Sequence, residues 1–356
     1  MYLSETIKAE ARTLGFDAVG ISRLTDRAQR SDFGELSRAA LSTQKDSLTQ
    51  RICSQLQDWL QRGYHGTMAW MERDPARRAD PRRVLPGCQS LISVGMNYLT
   101  DHRANEDPGF GRIARYAWGK DYHKILGKKL VELEARIVAL APTAVTRSYV
   151  DTGPVLEKVW AQQAGLGWIG KHSNLVSTQF GSWLLLGEIL TTLELDPDEP
   201  ASDLCGSCSL CVQACPTGAI VEPYVVDANR CISYLTIEFC GPREAIPDDL
   251  ASKTGNRIFG CDDCLDVCPF NLRGESTREP DFTPSSTTLA PSLDDLDRMD
   301  DRTFLDLFQK SPIRRVKRQG LVRNVAIARE NLSRQPSNGL PTSRFSVPLS
   351  SHQKEE

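Results

Sequence analysis

The apolar positions of the first 195 residues fall into alternating helix-like and strand-like stretches. Leu3, Ile7, Ala11 and Leu14 recur at helical spacing and Gly15 closes the pattern, whereas Phe16 to Ile21 reads as a strand. Ser90 to Leu99 is a second strand candidate. Ile125, Leu126, Leu130, Leu133, Ile137 and Leu140 mark a helix that ends near Pro142. Thr146 to Val150 reads as a strand, followed by a helix from Pro154 to Ala164. Ser182 to Leu190 is apolar apart from Ser182 and Glu188, the pattern of a strand buried on both faces. This succession predicts an α/β domain over residues 1–195. Residues 30–50 interrupt it: they are polar, rich in Ser and Gln, and read as a surface insertion.

Beyond residue 195 cysteine replaces periodicity as the organising signal. Cys205, Cys208, Cys211 and Cys215, with Pro216 after the last, fit C-x2-C-x2-C-x3-C-P, the bacterial ferredoxin run. In that run three thiolates hold one 4Fe–4S cluster and the fourth reaches across to another. Cys231, Cys261, Cys264 and Cys268, with Pro269 after the last, complete the arithmetic. Cys205, Cys208, Cys211 and Cys268 make one set; Cys215, Cys231, Cys261 and Cys264 make the other. A zinc site needs neither the tight triplet nor the Cys-Pro ending. A disulfide framework is disfavoured because no secretory segment opens the chain, Tyr2 to Lys8 being amphipathic and charged. Cys53, Cys88 and Cys240 lie outside the pattern and read as ordinary buried small residues. The module spans 196–280. A linker and helical region follow over 281–334, the Ser-, Thr- and Pro-rich stretch from Asn271 to Pro291 reading as the linker. Residues 335–356 read as a disordered tail.

A chain of 356 residues with 40% hydrophobic and 25% charged residues is globular and too long for a ferredoxin alone. No apolar run is long enough to span a membrane. The net charge of −3 excludes a surface coated in cationic charge, yet local patches stand out. Arg314, Arg315, Lys317, Arg318, Arg323, Arg329 and Arg334 face a single acid, Glu330, which is an electrostatic footprint for a phosphate backbone.

Two clusters move electrons, so the upstream domain is where substrate chemistry belongs. Asp151 falls just after a predicted strand and before a helix. Its carboxyl is a candidate general acid if burial raises its pKa; the plainer reading is a helix cap ahead of Pro154. Gly165, Gly167 and Gly170 precede Lys171, His172, Ser173 and Asn174, a turn with a polar rim that matches no phosphate loop. His123, two residues after Asp121 and close to Arg115 and Tyr116, is a candidate proton donor or cofactor contact.

At these residues the chain closely resembles the epoxyqueuosine reductase family. The matching segments are residues 63–71, 114–123, 150–157 and 165–171, then the cysteine blocks, 311–315 and 321–328. The resemblance implies a cobalamin-binding α/β domain, a ferredoxin-like two-cluster module and a short HEAT-like α-helical C-terminal domain. It implies a cytoplasmic enzyme, expected to be monomeric, that reduces epoxyqueuosine to queuosine at the wobble position of tRNA, with Asp151 as proton donor. Arg115, Tyr116, His123, Asp151, Lys171, Ser173 and Asn174 are then expected around cobalamin, and Arg314, Arg315, Lys317, Arg318 and Arg323 around tRNA. An external electron donor of flavodoxin, ferredoxin or reductase type is expected. The rival readings are a cobalamin-dependent reductive dehalogenase and a plain two-cluster electron carrier; the latter leaves Asp151 unexplained.

Overall fold

The computed structural model describes residues 2–24 and 47–334. Most of the expected insertion and the whole expected tail therefore lie outside the described residues. The end of the insertion opens a helix, with Ser47 as its cap and a reciprocal capping box to Gln50.

Helix α1 (Tyr2–Thr13) buries Ser4, Ile7, Lys8 and Ala11 along one stripe, the 3.6-residue repeat of an amphipathic helix. Helix α2 spans Leu48–Gln61. Strands β1 (Ala18–Arg23), β2 (Ser90–Asn97), β3 (Thr146–Tyr149) and β4 (Leu184–Thr191) form a sheet in the order β1-β2-β4-β3, and every neighbouring pair is antiparallel. The nearly continuous burial of β2 and β4 therefore reports cover on both faces, not a parallel sheet. Helices α1 and α3 (Tyr122–Leu140) cover one face, where Leu126, Leu130, Leu133 and Ile137 meet Ile21, Ile92 and Ile189. Gly187 admits Leu130 there: a Cβ would come within 2.9 Å of its side chain. Helix α4 (Glu157–Gln163) covers the other face, with Trp160 against Leu91 and Leu190. It starts three residues later than its apolar pattern predicts, because residues 151–156 form a loop.

The cysteine-rich segment is packed into this body. Leu265 belongs to the same core as the sheet, and Arg115 donates to both Asp262 and Asp266. The stretch from Asn271 to Pro291 is no free linker. Phe282 is buried against the main body, where a Cβ on Gly119 would lie 2.5 Å from its backbone. Lys120 N donates to Asp281 O at 2.8 Å and Asn97 Nδ2 to Glu275 O at 2.7 Å. Helix α5 (Lys317–Ser333) shares a core with Ile113, Trp118, Ile258 and Phe259, so the C-terminal helices close over the cysteine segment.

Candidate active site

Asp121 caps α3, its Oδ1 accepting from His123 N at 3.1 Å. That cap places Tyr122 and His123 in the first turn, their rings stacked at 4.1 Å between centroids. Asp151 leaves the end of β3 in a left-handed conformation, φ 57°. The two elements bring their side chains together: Tyr122 OH donates to Asp151 Oδ2 at 3.0 Å, and His123 Nε2 lies 3.4 Å from the same oxygen. His123 Nδ1 lies 2.7 Å from Asp121 Oδ1. An imidazole with a carboxylate at each nitrogen is held as the cation, both nitrogens donating. Burial opposes that charge, but Asp121 and Asp151 outweigh it and raise His123 to about 9. In return the His123 hydrogen bond, against burial and helped by Tyr122 and Arg315, lowers Asp151. The expectation that burial raises the Asp151 pKa is thus reversed, because the neighbouring cation dominates.

This trio lines a cavity of about 1090 Å³. Tyr116, Tyr122, Tyr149 and Tyr234 give it aromatic walls, while Ser233, Ile237 and Glu238 come from the cysteine segment and Arg314 and Arg315 from the C-terminal region. Arg315 donates to both carboxylate oxygens of Glu238, at 2.7 and 2.8 Å, and both residues line the cavity with Asp151. The volume exceeds the roughly 300–1,000 Å³ of a site for a drug-sized ligand. Its aromatic walls and clustered polar groups fit a large cofactor together with a substrate.

The cysteines separate into two neighbourhoods. Cys211 is raised to about 11 by burial and then by the proximity of Cys205, Cys268 and Cys208. Cys264 is raised by burial, then by Cys261, Cys231 and Cys215. Cys215 and Cys268, close in sequence to the first and second triplets respectively, each sit with the other triplet. Among the described residues no three His, Cys, Asp or Glu side chains converge on a single-ion site. A cubane fits such a set because each thiolate binds a different iron. The second neighbourhood borders the cavity: Lys158 lines it and feels the charges of Cys264 and Cys231. Of the other thiols Cys88 is buried, Cys53 half-buried and Cys240 exposed, the last contrary to expectation.

Other expected contacts lie elsewhere. Arg115 is absent from the cavity wall; it pairs with Asp262 and Asp266 and stacks over Trp118 and Trp183. Lys171 Nζ donates to Gly206 O at 2.6 Å and Cys208 O at 2.9 Å, bracing the first cysteine loop. Ser173 Oγ donates to Tyr224 O, and Asn174 Oδ1 accepts from Lys158 Nζ, behind the wall. Arg318 Nε donates to Met299 O, Lys317 opens α5 at φ 58°, and Arg323 is tied to backbone carbonyls. The sequence reading missed Tyr122, Glu157, Ser233 and Glu238. Glu157 Oε1 accepts from Asp151 N at 2.6 Å; burial and the Asp151 charge raise its pKa to about 7. Of these only Tyr122 carried a signal, its place between Asp121 and His123.

Two family models match: "Epoxyqueuosine reductase QueG, DUF1730" over residues 78–152, and "4Fe-4S double cluster binding domain" over residues 204–271. The epoxyqueuosine reductase of Synechocystis is 46% identical over 283 residues, spanning 79% of this chain and 95% of that one. An epoxyqueuosine reductase solved with an epoxyqueuosine-modified tRNA-Tyr stem loop superposes with a TM-score of 0.78 at 29% identity, over 93% of this chain and 81% of that one. The Bacillus subtilis epoxyqueuosine reductase, solved with a catalytic aspartate loop swung out of its active site, gives 0.77 at 27% identity, over 93% and 82%. Among the described residues no helix is long and apolar enough to cross a membrane. By identity across nearly the whole of a relative, by its double-cluster segment and by its fold, the chain belongs to the epoxyqueuosine reductase family.

Proposed function

We propose that this chain reduces epoxyqueuosine to queuosine in tRNA, removing the epoxide oxygen with two electrons and two protons and releasing water. The observation that carries the reading is the Asp121–His123–Asp151 trio in the wall of a cavity bordered by a thiol set and by Arg314 and Arg315. Cys205, Cys208, Cys211 and Cys268 would hold one cluster; Cys215, Cys231, Cys261 and Cys264 the other. The aromatic cavity would hold cobalamin, with Tyr116, His123 and Asp151 at its edge. When bound, these groups supply the electrons of the reduction.

The protein's own part is the proton. At neutral pH Asp151 is a carboxylate and His123 carries the proton, so Asp151 acts as donor by passing on what His123 holds. The proton moves from His123 Nε2 to Asp151 Oδ2 and then to the departing oxygen, which becomes basic as its carbon bond breaks. Tyr122 OH holds Asp151 Oδ2 in place meanwhile. Asp121 keeps the imidazole oriented through Nδ1. Arg314 and Arg315 form the cationic rim where the phosphates of an anticodon arm would lie, with Lys317 and Arg318 beyond. That rim has no use with a small organohalide, which disfavours the dehalogenase reading.

We read the chain as a catalytic region to 195, a cluster module over 196–280 and a short HEAT-like helical region over 281–334, working in the cytoplasm with an external electron donor. The test is direct. The anaerobically reconstituted protein, given a chemical reductant and tRNA from cells lacking the activity, should yield a nucleoside lighter by one oxygen. No conversion by protein carrying its full complement of iron and cobalamin would sink the reading.

A further inference from the structure

The loop that carries Asp151 is anchored at both ends and strained between them. Val150 is buried in the core beneath α3, and Val155 in the core beneath α4. Gly153 presses on the Tyr149 ring, where a Cβ would lie 2.4 Å away. Asp151 itself holds φ 57°, a left-handed conformation that a residue with a side chain keeps only where its surroundings impose it. Its carboxylate is 59% exposed and is held by Tyr122 and His123, which leaves the backbone of the loop to be fixed separately. Its backbone N–H donates to Glu157 Oε1 at 2.6 Å, a short bond to a carboxyl group. Glu157 is the first residue of α4 and is not part of the cavity wall.

We propose that Glu157 is the latch that holds the Asp151 loop in its working position, a positioning residue for the reduction that acts through Asp151. The inference rests on the reading of Asp151 as the proton-delivering group. The geometry explains why an acid stands at this position. The acceptor must reach back over residues 152–156 to a main-chain N–H, because Asp151 lies beyond Tyr149, the last paired residue of β3, and its N–H donates to Glu157 instead of to the sheet. Protonated or ionised, the Glu157 carboxyl keeps an oxygen able to accept from Asp151 N–H, so the bond does not depend on its charge.

The test compares Glu157→Ala with Glu157→Gln, because the amide oxygen of Gln can still accept from Asp151 N. In Glu157→Ala the peptide covering residues 150–156 should exchange its amide hydrogens faster than in the wild type, while far-ultraviolet circular dichroism and iron content stay unchanged. Turnover by the loaded enzyme should fall about 100-fold, the scale on which an ångström of misplacement acts, with KM for tRNA unchanged. Glu157→Gln should recover both loop protection and most of the turnover. Unchanged exchange in Glu157→Ala would overturn the latch, as would equal losses in the two variants. The exchange comparison needs no substrate, so a wild-type protein inactive on epoxyqueuosine tRNA would remove the functional reading while leaving the latch to be decided by exchange.

Discussion

His123 Nε2 lies 3.4 Å from Asp151 Oδ2, a long hydrogen bond that joins the two side chains. In the proposed reaction the two residues act in series, His123 storing the proton and Asp151 delivering it. Groups in series do not contribute additively when removed. Asp151→Asn and His123→Asn should each lower turnover by roughly 10²–10⁴-fold, and the double variant should cost little more than the worse single one. Multiplied losses in single-turnover assays would show that the two act independently.

The same pair has a pH signature. His123 titrates near 9 in the folded protein against an ordinary 6.5. A raised histidine pKa stabilises the fold fully below the unfolded value, and that contribution is lost as pH rises through the folded value. Thermal stability should therefore decline between about pH 6.5 and 9 in the wild type, more steeply than in His123→Asn. An NMR titration placing the His123 ring near 6.5 would contradict the arrangement.

The crossing of the cysteine sets makes a sharper claim than their number. Cys268 sits with Cys205, Cys208 and Cys211, although its nearest sequence neighbours serve the other set. Cys268→Ser should perturb the same cluster as Cys205→Ser, and Cys215→Ser the same cluster as Cys261→Ser. Mössbauer or EPR spectra of the reconstituted variants would show it. Iron content should fall from about eight towards four per chain in each. A pairing of Cys268→Ser with Cys261→Ser would overturn the assignment.

These examples show what a linear chain reveals. Cysteine spacing is legible because ligation constrains neighbours along the chain, and α3 is legible because Leu126, Leu130, Leu133 and Ile137 must share one face. The Asp151–His123 pair is not, since 28 residues separate its members and only the meeting of the β3 edge with the α3 start joins them. The antiparallel sheet was hidden because β2, buried on both faces, lacks the strict apolar–polar alternation that a half-exposed antiparallel strand shows. Phe282 was missed because a Ser-, Thr- and Pro-rich setting reads as linker, while its partner Gly119 lies far upstream.

Among the basic residues near the C-terminus, two that look alike in sequence should behave oppositely. Arg323 donates to Phe239 O at 2.6 Å, Gly241 O at 2.9 Å and Leu235 O at 2.8 Å. Arg314 lines the cavity, where it can meet phosphate. Arg323→Ala should lower stability by about 2–4 kcal/mol, since several carbonyls lose a charged donor. Arg314→Ala should leave stability alone, weaken tRNA binding and reduce its salt slope by about one. Chemical denaturation and binding across salt concentrations would separate the two, and a stable Arg323→Ala with impaired binding would return Arg323 to the RNA surface.

Glu188 sits at the centre of β4, 0% exposed, with Ser93 Oγ donating to Oε2 at 2.7 Å and no partner for Oε1 among the described residues. Burial drives its pKa well above the usual carboxylate range. One hydroxyl cannot replace the hydration of an anion, so the folded protein keeps this acid neutral. A raised carboxyl pKa leaves stability unaffected below the unfolded value of about 4.5; above it the unfolded chain ionises while the folded one does not, and stability falls. Glu188→Gln removes that proton uptake and preserves shape, and Ser93 can turn its hydroxyl to accept from the new amide. Near pH 4 the variant should be no more stable than the wild type. Its advantage should then grow with pH, by at most about 1.4 kcal/mol per unit. Urea unfolding at a series of pH values measures this, and a difference independent of pH would mean that Glu188 is ionised in the folded state.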